Sequence, residues 1–431
     1  MLYRSLCNTP APHCPPQREI RIPLRDGRNL YFGDDILRGH ILTLGGPRTG
    51  KTNFLLQLSR ACRLAYPQAL FVFLDVKGDF LPLYRPGDKL CTFYPVNGGN
   101  YAYFRHNLVR ECLQSGQMED EIREIAARLF KDQVEHSGGN RFFPRAAQQL
   151  FAAYFITVLR RCSDGVPCPT NRQILAHLHT MDAQRMRQRL MLDPDLQAVL
   201  NSIAPTGNGL SNQAAGVMAE LTQFADTFFA GMLAGDGQDT VHDFLTGPGG
   251  RALFLEYDMR REESSNLLFR FLLSTMIQNR LSDARQPRQI FLVLDEFAAL
   301  KGEYGLLNAL HIGAAGGLRV IGGLQSKEQV YRICDSRTPE HTGNALLGGF
   351  STLFAFHPND EESLAFVQKR LGEGMVTYTD LGLSRYDPPQ RITRREPLVE
   401  STAIQSLGLG EAYVKMREYK PQRVRFIRFT G

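Results

Sequence analysis

The residues best suited to chemistry form the segment GGPRTGKT at positions 45–52. It matches the pattern G-x-x-x-x-G-K-[ST], in which a glycine-rich loop directs backbone N–H groups at the phosphates of a nucleotide. In this pattern Lys51 reaches the β- and γ-phosphates, and the Thr52 hydroxyl is a ligand of Mg²⁺. We therefore predict an ATP site with Mg²⁺ as a cofactor. The residues expected to bind the nucleotide are Gly45, Gly46, Pro47, Arg48, Thr49, Gly50, Lys51, Thr52 and Asn53.

The segments on either side of this loop have the patterns that such a site needs. The run HILTL, from His40 to Leu44, is typical of a buried strand. After the loop, apolar residues recur at the spacing of one helix face: Leu55, Leu58, Cys62 and Ala65. Pro67 is expected to end this helix, whose N-terminal dipole favours bound phosphate.

Hydrolysis also needs an acid that holds the metal and a group that positions water. Asp295 and Glu296 directly follow the apolar run IFLVL. Such a run is typical of a parallel strand buried on both faces, and open α/β sheets bind ligands at the carboxyl ends of their strands. We predict that Asp295 holds Mg²⁺ and that Glu296 polarises the attacking water.

Polar residues follow two further apolar runs. Asp75, Lys77 and Asp79 follow LFVFL, and Gln325 and Ser326 follow LRVIGGL. The first group is either a solvated turn or part of the site. An amide such as that of Gln325 can sense the γ-phosphate, although spacing alone does not separate this role from an ordinary polar position.

These motifs, in this order, resemble the type IV coupling proteins, the ATPases that feed DNA into conjugative secretion channels and are related to hexameric DNA-pumping motors. The resemblance rests on GGPRTGKT, FLDVKGDF, FLVLDEFAAL and GGLRVIGGLQSKEQVY, and on flanking segments such as ESTAIQSLGLGEAYVKM. It covers roughly Arg21 to Thr430 and is weakest between about Asn107 and Gly237.

The resemblance implies roles for individual residues. Lys51, Glu296 and Gln325 would be the catalytic residues, with Gln325 sensing the γ-phosphate, and Thr52 and Asp295 would bind Mg²⁺. It also implies self-association, expected to give a hexameric ring with ATP bound between subunits.

Two features depart from the pattern of this family. Coupling proteins usually begin with transmembrane helices and a small periplasmic piece. We find neither here and expect a soluble form without an integral membrane segment, in the cytoplasm, either free or held at the inner face of the membrane by a partner. The family also has an arginine ahead of the sensor strand that reaches the neighbouring subunit's site, and the matching position here is Ala314. Either the activity is weak or another arginine, such as Arg319, substitutes.

The expected fold class is α/β: a RecA-like P-loop NTPase with a mostly parallel sheet and an inserted all-α domain. The chain has 431 residues, which suffices for two or three domains. Strand and helix patterns alternate in two stretches, and only helical spacing fills the stretch between them. We predict a tail at 1–20, the nucleotide-binding domain at 21–107 and 238–431, and the helical insertion at 108–237. Eight cysteines without a CxxC pair favour reduced thiols and no zinc site.

The net charge of +6 permits a nucleic-acid partner without requiring one. A motor of the resembled kind would grip the DNA phosphates without reading sequence. The candidate contacts are Arg141, Arg145, Arg185, Arg189, Arg394 and Arg395, of which the last two lie in an apparent loop flanked by proline. Each of them is alternatively an ordinary solvated charge.

The predicted function is therefore an ATP-driven motor that delivers DNA or nucleoprotein to a type IV secretion channel, with relaxosome or channel proteins as further partners. Two alternatives stay open. One is a DNA translocase in repair or phage defence. The other is a nucleotide-gated adaptor with little hydrolysis, which Ala314 favours and the intact Asp295–Glu296 pair opposes.

Overall fold

The computed structural model describes residues 20–138, 140–206, 209–210, 212–282, 288–302, 304–334, 338–380, 390–417 and 419–430. The predicted N-terminal tail lies outside these residues apart from its last position. The chain divides into two compact units. The first consists of Met1–Arg85 and Asp283–Gly431, and the second of Pro86–Ser282. The segment predicted as a helical insertion lies within the second unit, which extends past both predicted ends.

The helices and strands are numbered in chain order. The first unit begins with β1 (Ile20–Pro23), β2 (Asn29–Phe32), α1 (Asp34–Leu37), β3 (His40–Leu44), α2 (Lys51–Ala65) and β4 (Leu70–Asp75). The second unit comprises β5 (Lys89–Cys91), α3 (Leu108–Leu113), α4 (Met118–Leu129), α5 (Lys131–His136), α6 (Phe142–Ser163), α7 (Asn171–His179), α8 (Ala183–Leu190), β6 (Pro205–Thr206), β7 (Gly209–Leu210), α9 (Asn212–Phe228), α10 (Val241–Thr246), β8 (Ala252–Glu256) and α11 (Glu262–Ser282).

The first unit resumes after residue 282. Its remaining elements are β9 (Ile290–Leu294), α12 (Leu306–His311), β10 (Leu318–Leu324), α13 (Lys327–Ile333), α14 (Pro339–Gly348), β11 (Phe350–Ala355), α15 (Glu361–Leu371), β12 (Glu373–Asp380), β13 (Gln390–Pro397), α16 (Ser401–Gln405), β14 (Glu411–Met416) and β15 (Gln422–Arg425).

A mainly parallel sheet forms the centre of the first unit. Five strands pair in parallel in the order β4-β9-β10-β3-β11. β14 joins β11 in antiparallel orientation, and β15 joins β14 in the same way. Because the carboxyl ends of parallel strands meet at one edge, the segments that follow β3, β4, β9 and β10 come together there.

Burial explains why the central strands read as unbroken apolar runs. Every residue of β3, β9 and β10 is buried, as is typical of parallel strands covered on both faces. The helix predicted after the glycine-rich loop is α2, and it buries Leu55, Leu58 and Cys62 as the spacing indicated. It ends at Ala65, two residues before Pro67.

One prediction for the C-terminal part of this unit was wrong. The predicted loop around Arg394 and Arg395 is strand β13, which pairs antiparallel with β12. The sequence did not indicate this strand, because a strand with an exposed face lacks the continuous apolar run that marked the central strands.

The second unit is mostly helical. The apolar segment from Gln149 to Leu159 lies within α6 and is almost entirely buried. Side chains cap several helices: Asn107 accepts a backbone N–H at the start of α3, Thr170 forms a capping box at α7, and Asp182 caps α8. The unit also contains the parallel pair β5–β8 and the small antiparallel pair β6–β7.

Within the described part of the chain, no helix combines the length and the apolar character needed to cross a bilayer.

Candidate nucleotide-binding site

The glycine-rich loop lies at the edge of the sheet where the parallel strands end. Two backbone hydrogen bonds fix its start: Gly45 donates to the Leu324 carbonyl at 3.2 Å, and Gly46 donates to the His357 carbonyl at 2.8 Å. Gly50 has a φ of +107° immediately before α2. A Cβ atom there would lie 3.0 Å from the Cα of Gly410. Both the positive φ of Gly50 and the close approach of the segment at Gly410 therefore favour glycine at this position.

Lys51, the first residue of α2, is turned back into the loop. Its ammonium group donates hydrogen bonds to the carbonyl oxygens of Gly45 and Gly46, the latter at 2.8 Å. Burial lowers the pKa of Lys51, and the nearby charges of Glu296 and Asp295 oppose that effect. The carbonyls of Gly45 and Gly46 thus hold the Lys51 ammonium group at the loop.

Thr52 and Asp295 are in direct contact. The Thr52 hydroxyl donates a hydrogen bond to the Asp295 carboxylate at 3.2 Å. Burial raises the pKa of Asp295 to about 6, and repulsion from Asp75 adds to the shift, whereas the bond from Thr52 opposes it. A buried carboxylate beside a hydroxyl supplies the oxygen ligands that a hard divalent cation prefers.

Glu296 and Gln325 form the second pair at this edge. The Gln325 side chain is hydrogen-bonded to the Glu296 carboxylate. Burial raises the pKa of Glu296 to about 7, and this hydrogen bond and the charge of Lys51 oppose the rise. Among the described residues, no group is hydrogen-bonded to the buried Oε1 of Glu296. A buried carboxylate oxygen without a partner leaves one acceptor for a water or a ligand.

Close packing of β9 against β10 brings these two residues together. A Cβ atom on Gly323 would lie 1.9 Å from the backbone oxygen of Asp295. Glycine is therefore the residue type that this approach allows. The approach places Gln325, two residues later, beside Glu296.

The segment after β4 contributes a rigid turn. Asp75 is 1% exposed, and its carboxylate accepts four backbone N–H bonds, from Lys77, Gly78, Asp79 and Phe80, at 2.8–3.1 Å. Burial raises the pKa of Asp75, and these N–H groups oppose the rise. The solvated turn considered from sequence is thus a buried carboxylate that organises its own turn, with Lys77 and Asp79 at the cleft.

These residues line one cleft of ≈ 420 Å³. Its walls come from the glycine-rich loop, the turn after β4 and the ends of β9 and β10. The lining residues are Pro47, Arg48, Thr49, Gly50, Lys51, Thr52, Asn53, Val76, Lys77, Asp79, Asp295, Glu296, Gln325 and Leu409. The structure therefore brings Lys51, Thr52, Asp295, Glu296 and Gln325 to one place, although the first and the last lie 274 positions apart in the sequence.

Asn53 was predicted to bind the nucleotide, but its side chain faces the C-terminal segment. Its amide group donates to the Ile427 carbonyl at 2.8 Å, and its oxygen accepts the Phe429 N–H at 2.7 Å. Gln57, one turn along α2, also donates to the Ile427 carbonyl. The side-chain amide of Asn53 is therefore already engaged by the C-terminal segment at both of its ends.

The sequence reasoning missed Leu409 and Asn359. Leu409 lines the cleft. The sequence feature that could have indicated it is an apolar residue between two glycines in SLGLGE, within a segment that resembles the coupling proteins. Asn359 lies against Gly46, where a Cβ atom would be 2.1 Å from the Asn359 side-chain oxygen. No local pattern marks Asn359, because its position depends on the pairing of β11 with β3.

Arg319 is not placed to act on a neighbouring molecule. It is 7% exposed, and its guanidinium donates to the carbonyl oxygens of Ala314 and Leu318 at 2.8 and 2.9 Å. The side chain is thus held by its own loop. The idea that it supplies the arginine missing at Ala314 has no support from this geometry.

Five of the six arginines named as DNA contacts are exposed. The sixth, Arg189, is half-buried: it donates to the Thr157 hydroxyl at 2.8 Å and lies over the Tyr154 ring. Burial lowers the pKa of Arg189. It is therefore a packing residue of the second unit rather than a solvated charge.

The donors at the cleft fit Mg²⁺. Within the described ranges, no group of three or more His, Cys, Asp or Glu side chains is placed to hold a metal. Mg²⁺ commonly binds through one or two protein oxygens and completes its shell with water and substrate phosphates. The hydroxyl of Thr52 and the carboxylate of Asp295 supply two such oxygens.

A comparison of the sequence with models of known protein families identifies one matching family. The model of the type IV secretion-system coupling protein DNA-binding domain matches residues 31–424. No curated protein matches the chain.

Solved structures with the same fold include bacterial coupling proteins. The conjugative coupling protein TrwBdeltaN70 in its unbound form is 19% identical, with a TM-score of 0.74 over 95% of this chain and 88% of that chain. Plasmid coupling protein TrwB with a non-hydrolysable ATP analogue is 19% identical, with a TM-score of 0.71 over 95% and 90%. VirB4 of Thermoanaerobacter pseudethanolicus is 13% identical, with a TM-score of 0.51 over 96% of both chains. These matches confirm the predicted fold class, a RecA-like P-loop fold with a mainly parallel sheet and a helical domain.

Proposed function

Because this chain belongs to the family of type IV secretion-system coupling protein DNA-binding domains, we propose that it is an ATP-driven motor that moves DNA toward a type IV secretion channel. The observation that carries the proposal is the meeting of Lys51, Thr52, Asp295, Glu296 and Gln325 at one cleft. The solved complexes of TrwB support the choice of ligand, since that protein is described with ADP and Mg²⁺ and with analogues of ATP and GTP.

The glycine-rich loop would bind the phosphates. Lys51 would exchange its hydrogen bonds to the Gly45 and Gly46 carbonyls for contacts with the β- and γ-phosphates. The phosphates are the stronger partners, because they carry a full negative charge whereas the carbonyls are neutral. Thr52 and Asp295 would hold Mg²⁺, which offsets the negative charge of the phosphates. The hydrogen bond between Thr52 and Asp295 already sets the two ligands side by side.

Glu296 would orient the attacking water. Its raised pKa, about 7, suits a group that takes a proton near neutral pH. The carboxylate oxygen without a hydrogen-bond partner among the described residues is the acceptor for that water. Gln325 holds the other side of the carboxylate and so fixes its orientation.

Gln325 also links the site to the next helix. The Gln329 side chain accepts the backbone N–H groups of Gln325 and Ser326 at 3.1 and 3.0 Å, and Ser326 caps α13. A shift of Gln325 on loss of the γ-phosphate would therefore move the start of α13. This is a route by which the state of the nucleotide could reach a surface that contacts DNA or a neighbouring subunit.

In the proposed motor, several copies form a ring, expected to be hexameric, and DNA passes through its centre. The grip would be independent of sequence, through arginine and lysine side chains on phosphates. Relaxosome and secretion-channel proteins are the proposed partners at either end.

A nucleotide-gated adaptor is the second candidate, and one observation favours it. Position 314 is alanine, and the nearby Arg319 is held by the carbonyls of Ala314 and Leu318. A motor without an arginine finger would be slow, because such a residue can contribute a factor of about 10³ to 10⁵ in rate. An adaptor would bind ATP and change its contacts with little turnover.

ATP hydrolysis by the purified protein separates the two candidates. We would measure it alone, with single-stranded DNA and with double-stranded DNA, beside the Lys51→Ala and Glu296→Gln variants. DNA-stimulated turnover that both variants lack is the result expected of a motor. ATP binding without turnover on any DNA would favour the adaptor.

A further inference from the structure

The glycine-rich loop carries an arginine whose side chain does not help to hold the loop. Arg48 is exposed and lines the cleft of ≈ 420 Å³ together with Glu296 and Gln325. Among the described residues, no hydrogen bond, ion pair or ring contact engages its guanidinium group. A guanidinium in this condition has all five of its N–H donors available for an anion in the cleft.

The backbone at Arg48 favours glycine, yet the residue is an arginine. Its φ is +60°, in the left-handed region, which costs free energy for a residue that has a Cβ atom. Glycine would adopt this angle without that cost, so the conformation of the loop gains nothing from arginine at this position. Backbone strain of this kind is concentrated at functional sites. The strain therefore points to a function of the Arg48 side chain.

The loop is held on both sides of Arg48. The Thr49 hydroxyl donates to the Gly46 carbonyl at 2.8 Å, and the Thr49 carbonyl accepts the Gly410 N–H at 2.9 Å. Pro47 restricts the backbone immediately before Arg48. Because a loop of this kind curls around the phosphates, the backbone of Arg48 is fixed close to them and only the side chain has to turn.

The other two cations that line this cleft have different surroundings. The Lys51 ammonium group is bound to carbonyl oxygens of the loop. Burial raises the pKa of both Asp295 and Glu296, and the charge of Lys77 opposes the rise in each case, so Lys77 acts on the two acids. Arg48 is the lining cation whose charge is left for a ligand, and its planar guanidinium can bind two phosphate oxygens at once, which an ammonium group cannot do in the same fixed geometry.

We propose that Arg48 is a catalytic residue that supplies, within its own subunit, the arginine charge that position 314 lacks. The inference rests on the proposed function and adds to it a further group on the γ-phosphate. An arginine at the transferring phosphoryl group can act from the same subunit or from a neighbour. Since Arg319 is held by its own loop, Arg48 is the arginine that the structure places at the cleft.

The role of Arg48 belongs to the transfer step itself. The oxygen of water bonds to the γ-phosphorus, the bond from that phosphorus to the bridging oxygen of the β-phosphate breaks, and Glu296 takes the proton of the water. The products are ADP and inorganic phosphate. Arg48 donates hydrogen bonds to the oxygens on which negative charge develops as the bond breaks, so it stabilises the transition state more than bound ATP.

Arg48→Gly tests the inference, because glycine suits the backbone angle and the change removes only the side chain. Steady-state hydrolysis of ATP with Mg²⁺ and DNA would be measured for the full chain. We expect kcat to fall by a factor of about 10² or more, whereas the Kd for a non-hydrolysable ATP analogue should stay within about threefold of normal. Arg38→Ala is the matched control, since Arg38 is exposed and lies outside the lining of the cleft, and its kcat should be normal.

A mimic of the transition state gives a second readout. Aluminium fluoride bound beside ADP resembles the transferring phosphoryl group, so it should tighten ADP binding in the unaltered protein. In Arg48→Gly the Kd for ADP alone should be unchanged and the gain from aluminium fluoride should be lost. If ADP, the ATP analogue and the mimic all weakened equally, Arg48 would serve binding and the catalytic assignment would be wrong.

Mixing two inactive variants shows which subunit the arginine serves. An Arg48→Gly subunit keeps Lys51, and a Lys51→Ala subunit keeps Arg48. If Arg48 acted on a neighbour's site, mixed assemblies would regain turnover, because one subunit would supply the loop and the other the arginine. We expect no recovery, since both groups must belong to one loop. Recovery would overturn the assignment to the same subunit.

Failure of this inference and failure of the proposed function give different results. A normal kcat in Arg48→Gly, with turnover in the unaltered protein and none in Lys51→Ala, would overturn the inference and leave the motor intact. No turnover by the unaltered protein on any DNA would contradict the motor itself, and the role of Arg48 would be rejected with it.

Discussion

The hydroxyl of Thr52 lies 3.2 Å from the carboxylate of Asp295, to which it donates a hydrogen bond across 243 positions of the sequence. This contact joins the start of α2 to the end of β9. Both side chains are predicted ligands of the same Mg²⁺ ion, and their contact places the two candidate oxygen ligands side by side. Such an arrangement would reduce the conformational cost of binding Mg²⁺ together with ATP.

Replacing Asp295 by asparagine should remove the effect of Mg²⁺ on nucleotide binding. In the unaltered protein we expect Mg²⁺ to tighten ATP at least tenfold, since two protein oxygens and the phosphates would share the ion. In Asp295→Asn the affinity for ATP should be the same with Mg²⁺ and with EDTA. Titration calorimetry at both conditions measures this.

The control for this experiment is Asp79→Asn, a carboxylate at the same cleft whose backbone, rather than its side chain, is held by Asp75. It should keep most of the Mg²⁺ effect. Equal losses in the two variants would mean that the cleft responds to total negative charge and has no defined metal ligand.

Glu296→Gln should separate binding from turnover. The amide keeps the shape of the side chain but cannot take a proton from water, so we expect ATP affinity within about threefold of normal and kcat lower by a factor of about 10² to 10⁴. Gln325→Ala removes the hydrogen bond that orients Glu296, and its kcat should fall about tenfold. Gln68→Ala, at an exposed turn of the same unit, is the control. A normal kcat in Glu296→Gln would show that another group positions the water.

The central part of the site could be predicted because its signals are local. The loop at 45–52, Asp295 and Gln325 each follow an apolar run that is buried on both faces, and that pattern indicates the carboxyl end of a parallel strand. Since such ends share one edge, sequence alone predicted that these residues would meet.

The rest of the site could not be predicted, because it depends on contacts between segments that lie far apart in the sequence. Leu409 reaches the site because β14 pairs with β11, and Asn359 reaches Gly46 because β11 pairs with β3. The role of the Asn53 side chain was missed for the same reason, since its partners lie more than 370 positions away. The short sequence distance between Ala314 and Arg319 gave no information on the burial of the Arg319 side chain.

Arg319→Ala should affect stability rather than catalysis. Without the guanidinium, the carbonyl oxygens of Ala314 and Leu318 each lose one hydrogen bond, and a hydrogen bond to a charged group contributes about 1.5–3 kcal/mol. Chemical denaturation should show a loss of that size, with ATP turnover per folded molecule unchanged. Arg332→Ala, an exposed arginine paired with Glu328, should change neither. A tenfold fall in turnover without loss of stability would restore Arg319 as a candidate finger.

His40 should make the first unit sensitive to acid. Burial lowers the pKa of His40 to about 4, and the charges of Arg319 and His311 add to the shift. Its Nδ1 accepts the Val320 N–H at 3.0 Å. Because the folded pKa lies below the unfolded value, the stabilising contribution is complete above about pH 6.5 and is lost as the pH falls toward 4.

The difference between the folded and the unfolded pKa of His40 corresponds to an expected loss of roughly 3 kcal/mol in the free energy of unfolding over that interval. Urea denaturation between pH 7.5 and 4.5 would measure it. His40→Asn keeps an acceptor near Val320 but cannot titrate, so its stability should fall less steeply with acid. Parallel curves for the two proteins would rule out His40 as the cause.

The start of α6 offers the sharpest test of DNA contact. Arg141 and Arg145 are exposed one helical turn apart, and Phe142 between them is 42% exposed, which combines phosphate-binding charges with a ring on which a base can stack. Arg141→Ala/Arg145→Ala should weaken binding of a single-stranded oligonucleotide at least fivefold and reduce the slope of log K against log salt by about 1.4, since about 0.7 is lost per phosphate contact. Fluorescence anisotropy at several salt concentrations measures both. The control is Arg172→Ala/Arg332→Ala, which removes two exposed arginines that are paired with carboxylates. If this control lost as much affinity for the oligonucleotide and as much of the salt slope, DNA binding would reflect net charge and not a contact at α6.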